Sequence, residues 1–251
     1  NDDNAIRVGH EGSGNEPNWI EIDHNLIQML DGGRRGAGSD NVTLYGHHRV
    51  YLHHNNFRHN NGNAKAENLI DVKPPRNTTG DANYCELMYN WFAGSETNHA
   101  TCILQGDGRD RMHTWFNWWE GNNPLTFGDG EGNQHLDFRW NIIPDLTTGR
   151  NNDFRFWNIR DNLGSIFYGN WVKNGQLTHP SSRASTKLEF SGNYFDGTNM
   201  QLGSGATIRG QNNVKQNVSG SGWGNLGAGE GDFFAPDDFE VLASTSDPDP
   251  Y

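Results

Sequence analysis

The chain has 251 residues, 32 of them glycine, and a formal net charge of −12 from 19 Lys and Arg against 31 Asp and Glu. That length supports one domain with a core of its own, and no shift of composition marks a linker. Counterion release at nucleic-acid phosphates needs clustered Lys and Arg, which this chain lacks, and no run of about 18 apolar residues exists to cross a bilayer.

In chain order, NDDNAIRVG (Asn1–Gly9) reads as a strand with no amphipathic helix ahead of it. An uncapped solenoid end invites pairing, so a further domain or subunit is expected to cover the N-terminal end. With no initiator Met and no leader at its start, the chain reads as a mature secreted one. Seven related blocks follow: WIEIDHNLI, VYLHHNNF, CELMYNWF, MHTWFNWW, HLDFRWNII, SIFYGNWV and LEFSGNYF. Each holds an Asn with a large apolar residue two positions on. The asparagines are Asn25, Asn55, Asn90, Asn117, Asn141, Asn170 and Asn193, whose six intervals span 168 residues with a mean of 28. A period in the twenties built from short strands is the mark of a solenoid of coils.

Side chains alternate along a strand, so counting back from each Asn separates two faces. Three residues before it stand Ile22, Leu52, Leu87, Thr114, Phe138, Phe167 and Phe190, and five before stand Ile20, Val50, Cys85, Met112, Leu136, Ser165 and Leu188. These columns face inward. The column four before, Glu21, Tyr51, Glu86, His113, Asp137, Ile166 and Glu189, is mostly polar and faces out. Coils stacked at the strand spacing of roughly 4.8 Å place the asparagines in an amide ladder. The expected fold is therefore all-β, a parallel β-helix of about seven to eight coils over residues 1–215. It forms a single domain, 1–251, whose residues 216–251 make a Gly-rich loop and a polar tail packed along its side.

The same register disposes of several motifs. His24 and His54 precede their asparagines in a column continued by Tyr89, Phe116 and Trp140, which reads as an inward aromatic stack rather than a metal site. The doublets His47-His48 and His53-His54 lack the four converging ligands that zinc requires. Cys85 is either a small buried hydrophobe or the disulfide partner of Cys102, and the sequence leaves both readings open. Trp91, Trp115, Trp118 and Trp119 cluster in two adjacent coils; Trp115 lies on the outward face, where an indole offers a platform for a sugar ring. Sequons at Asn41, Asn77 and Asn217 matter only in a eukaryotic secretory pathway.

The stretch AENLIDVK, Ala66–Lys73, sets Glu67, Asp71 and Lys73 at alternate positions to Ile70 and Val72. Together with SDNVTLYGHHRVYLHHNNF, NYCELMYNWF, TCILQG, MHTWFNWW, NNPLTFGDG and HLDFRWN, and with the tail FFAPDDFEVLAS, it resembles the pectate lyases of polysaccharide lyase family 1. The likeness covers about Ser39 to Asn141, roughly 40% of the chain. It implies a right-handed β-helix, calcium at Asp40, Glu67 and Asp71, and β-elimination in an acidic, uronic acid-containing polysaccharide. Calcium takes about six to eight oxygen ligands in a loose geometry, and a bound ion would let neighbouring carboxylates stay ionised.

The chain departs from that family at the base. Two residues before Pro124 stands Asn122, three after it stands Phe127, and the family's intervening Lys has no match near Asn98 and His99. The residues positioned to take over are Lys73 and His99 as bases, with Arg109 and Arg111 holding substrate carboxylates and Trp115 and Asn122 touching substrate. His99 has the better intrinsic pKa, since an ammonium beside carboxylates is the wrong kind of base unless calcium offsets them. The second expectation is a non-catalytic carbohydrate-binding or structural β-helix. A third, a glycoside hydrolase using Glu86 and Asp137, lacks a convincing carboxylate pair.

Overall fold

The computed structural model of the chain describes residues 6–9, 19–29, 41–45, 49–59, 68–73, 82–94, 100–104, 109–120, 125–126, 133–145, 153–155, 165–179, 187–202, 207–220 and 223. Short blocks with period-two alternation and many β-branched and aromatic residues favour strands. The described residues accordingly form strands, with no α-helix among them. Those strands fall into sheets of four, eight and eleven strands, and the pairings are parallel. In the eight-stranded sheet the spatial order is Trp19–Asp23, Arg49–His53, Ala82–Met88, Arg109–Trp115, Asn133–Arg139, Ser165–Tyr168, Lys187–Ser191 and Thr207–Gln211. Neighbours in space are thus successive repeats in sequence. Parallel neighbours cannot be joined by a hairpin, so the chain must leave through another sheet before it returns. Long parallel sheets stacked in this way are compatible with a parallel β-helix.

The register follows the repeat. Val50, Cys85, Met112 and Leu136 lie side by side across four strands. They are buried with Leu52, Leu87, Phe138 and Phe190 from the same sheet. Phe57, Phe92, Trp119, Ile143, Val172 and Phe195 close the core from the eleven-stranded sheet. Their rings stack, Phe57 on Phe92 at 5.0 Å and Phe92 on Trp119 at 4.0 Å between centroids. Each large side chain buried here contributes about 1.5–3 kcal/mol. Cys85 is a free, buried thiol, which decides between the two readings the sequence leaves open; the Cys102 side chain lies outside the described residues.

At the corner between the eight- and eleven-stranded sheets one residue per repeat takes a left-handed backbone: His24, His54, Tyr89, Phe116 and Trp140, at φ of 54°, 53°, 54°, 56° and 51°. Later repeats use Gly169 and Gly192 there, for which that conformation carries no Cβ clash. The five non-glycine rings stack on one another at 4.7 to 5.1 Å. They do so outside the core: His24 and His54 are exposed and the other three half-buried. The inward reading of this column is corrected, because the left-handed turn swings its side chain outward while the next residue, Asn, turns in.

Those asparagines are joined by amide bonds. Asn55 Nδ2 donates to Asn90 Oδ1 at 3.2 Å, Asn90 to Asn117 at 3.1 Å, Asn117 to Asn141 at 3.0 Å, and Asn141 to Asn170 at 3.2 Å. Asn117 Nδ2 also donates to the Leu87 and Trp115 carbonyls. Buried polar groups at a corner are costly unless paired, and these amides are paired through both their oxygen and their nitrogen.

Candidate functional site

The strand Asn68–Lys73 is an inner strand of the four-stranded sheet, between Val42–Tyr45 and Ala100–Leu104. Both side-chain faces of this strand are buried: Asp71 is only 3% exposed although it alternates with the buried Ile70 and Val72, and Thr43 beside it in register is buried too. Its carboxylate holds Lys73 Nζ at 2.9 Å, and that ammonium lies 3.5 Å from the Tyr45 hydroxyl. Burial works against the charge on Lys73, but the hydrogen bond and charge of Asp71, with Tyr45, outweigh it and raise its pKa. Lys73 is therefore held as the ammonium beside Asp71.

Asp40 and Glu67, the other expected calcium ligands, lie outside the described residues, as do His99 and Asn122. Among the described residues no group of three or more His, Cys, Asp or Glu converges on a metal position. One carboxylate already neutralised by an ammonium does not by itself fit a calcium ion, whose ligand set is several oxygens. The Arg109 side chain is also outside the described residues, although its backbone opens the strand Arg109–Trp115.

That strand brings the remaining candidates into one row. Arg111, His113 and Trp115 alternate with the buried Met112 and Thr114, so the three share the outward face of the eight-stranded sheet. In register, Tyr84 lies beside Arg111, Glu86 beside His113 and Met88 beside Trp115. On the other side Asp137 lies beside His113 and Arg139 beside Trp115. Asp71 with Lys73, and Arg111 with Trp115, thus sit on two different sheets rather than in one cluster.

The outward row is tightly bonded. Glu86 accepts from Tyr84 through Oε2, and its Oε1 lies 2.8 Å from His53 Nε2. The Tyr84 hydroxyl is 3.2 Å from His113 Nδ1. The side chains of His53 and Glu86 are only 16% and 14% exposed. Burial pushes the Glu86 carboxyl up, but the hydrogen bonds from His53 and Tyr84 and the charges of His53 and His113 hold it below the usual carboxylate range. Burial, then the bond and charge of Glu86, push the Tyr84 phenol up, so it keeps its proton. Beyond His113, the Trp115 ring lies 4.9 Å away, with the Arg139 guanidinium 5.9 Å over it. Arg139 is fixed by an ion pair with Asp137. Trp115 is half-buried, and its indole nitrogen has no hydrogen-bond partner among the described residues.

Sequence reasoning placed Glu86, His113 and Asp137 outward but missed Tyr84, His53 and Arg139. They stand six and two residues before their asparagines, at the same parity, so extending the outward column in both directions would have found them. The exposed indoles are Trp19, 53% exposed on the first strand of the eight-stranded sheet, and Trp91, Trp118 and Trp171, 40%, 37% and 38% exposed, each of which follows an Asn on the eleven-stranded sheet. Among the sequons, Asn41 is fully buried and closed to glycosylation in the folded chain, whereas Asn217 is exposed and donates to Asp196. Comparison with protein families, with curated proteins and with solved structures finds no match to this chain.

Proposed function

We propose that the chain is a secreted right-handed parallel β-helix of about seven to eight coils, its asparagines forming the ladder of one corner, that binds an acidic polysaccharide and cleaves it by β-elimination. The observation that supports this reading is the row Arg111, His113 and Trp115 with Arg139 alongside. Guanidinium groups hold uronate carboxylates, an indole stacks on a sugar face, and an imidazole is the side chain suited to moving a proton at neutral pH. Elimination asks for a neutralised carboxylate, a base for the proton α to it, and an acid for the glycosidic oxygen leaving C4, of which the row offers the first two beside a platform for the sugar ring. The expected calcium at Asp40, Glu67 and Asp71 belongs to this reading only as a separate position, since Asp71 and the row Arg111, His113 and Trp115 lie on different sheets.

The test is the ultraviolet absorbance of the unsaturated uronyl product on a panel of polyuronates and sulfated uronic polymers, with calcium or with chelator. A rising signal supports a lyase, and its loss in chelator supports the metal. No signal from folded protein on any polymer favours the second reading, a carbohydrate-binding module. The exposed column Trp91, Trp118 and Trp171 speaks for that alternative, since it supplies aromatic platforms without any acid–base group.

A further inference from the structure

We propose that His113 and Tyr84 are the base and acid of the elimination, working from one side of the sugar ring, and that the chain is therefore matched to gluco- or manno-configured uronates. The proposal rests on the lyase reading and supplies a base in place of the family's, at whose position this chain has Asn122.

The protonation states follow from hydrogen-bond counting. Glu86 is ionised and can only accept, so both of its bonds are donated to it, by His53 Nε2–H and by the Tyr84 hydroxyl. A phenol has one proton, and Tyr84 gives it to Glu86. The 3.2 Å contact between Tyr84 and His113 Nδ1 must then be donated by the imidazole. His113 is thereby the Nδ1–H tautomer, and Nε2 is its basic nitrogen. A carboxylate that orients a second group, which in turn fixes the tautomer of a histidine, is the logic by which a base is prepared. Glu86 and His53 are positioning residues; His113 and Tyr84 are the catalytic ones.

The step balances. His113 Nε2 takes the proton from C5, and the C–H electron pair becomes the C4=C5 double bond. The C4–O bond breaks with its pair on the leaving oxygen, which takes the Tyr84 proton. The Tyr84 phenolate recovers a proton from His113 Nδ1–H across the same contact, and solvent returns the ring to its starting tautomer. Tyr84 and His113 project from adjacent strands on one sheet face, so base and acid reach the ring from the same side. That geometry removes H5 and O4 together only where they share a face of the pyranose. They do so in glucuronate and mannuronate, and lie on opposite faces in galacturonate and guluronate.

The test uses the full chain on hyaluronan and polymannuronate against polygalacturonate and polyguluronate, with His113→Gln and Tyr84→Phe as near-isosteric variants. Cleavage of the first pair is expected, with kcat falling by about 100-fold or more in each variant while KM changes by less than about twofold. Cleavage confined to the second pair, or variants as active as the parent, overturns the proposal and leaves the lyase reading standing. No cleavage of any uronate overturns both. Independently of activity, nitrogen NMR of the imidazole is expected to show His113 as the Nδ1–H tautomer, a state lost in Tyr84→Phe. An Nε2–H ring in the parent overturns the assignment.

Discussion

Glu86 shows how one residue's environment decides its chemistry: burial opposes its charge, and two donated hydrogen bonds with the charges of two histidines win. A carboxylate held below its unfolded value, about 4.3 for Glu, contributes stability that is present above that pH and is lost as pH falls through the folded value. Glu86→Gln is expected to lower the urea midpoint at pH 7, and the gap to the parent should narrow as pH falls below about 4. A gap that does not narrow would show that the carboxylate's charge is not what the network uses. Cys85 is the opposite case. Burial first, and then the charge of Glu86, push its thiol up, so it behaves as a small apolar core residue rather than a nucleophile.

At the scale of the strand and its corner, Asn117 is an amide on which five hydrogen bonds converge. It donates to Leu87, Trp115 and Asn141 and accepts from both the backbone and the amide nitrogen of Asn90. Asn117→Ala leaves buried partners unsatisfied and is expected to cost about 3 kcal/mol, whereas the exposed Asn25→Ala should cost about 1 kcal/mol or less. Denaturant midpoints check this, and equal losses at the two positions would contradict it. These asparagines were legible in the sequence because alternation and a period near 28 fix which residues share a column, whatever the intervening chain does. Three features were not. The left-handed φ of His24 and His54 reverses the facing that alternation predicts. Asp71 is buried because both faces of its strand are covered, and what covers a face is not a local property of the sequence. The bond from Tyr84 to His113 joins residues 29 apart, and it exists only because both strands take their register from their asparagines.

Over the whole molecule, the two faces that the sequence singled out belong to different sheets. The four-stranded sheet carries Asp71 in an ion pair with Lys73, and the eight-stranded sheet carries guanidinium, imidazole and indole in one row. On the proposed reading an acidic chain of net charge −12 would meet a polyanion against its overall field, so recognition would have to come from local guanidinium groups at short range rather than from steering. The most direct measurement is a crystal structure of the chain with an acidic oligosaccharide. The account predicts sugar across Arg111, His113 and Trp115, with a uronate carboxylate at Arg111 or Arg139 and C5 within hydrogen-bond reach of His113. Sugar lying instead along Asp71 and Lys73, or along Trp91, Trp118 and Trp171, would contradict it.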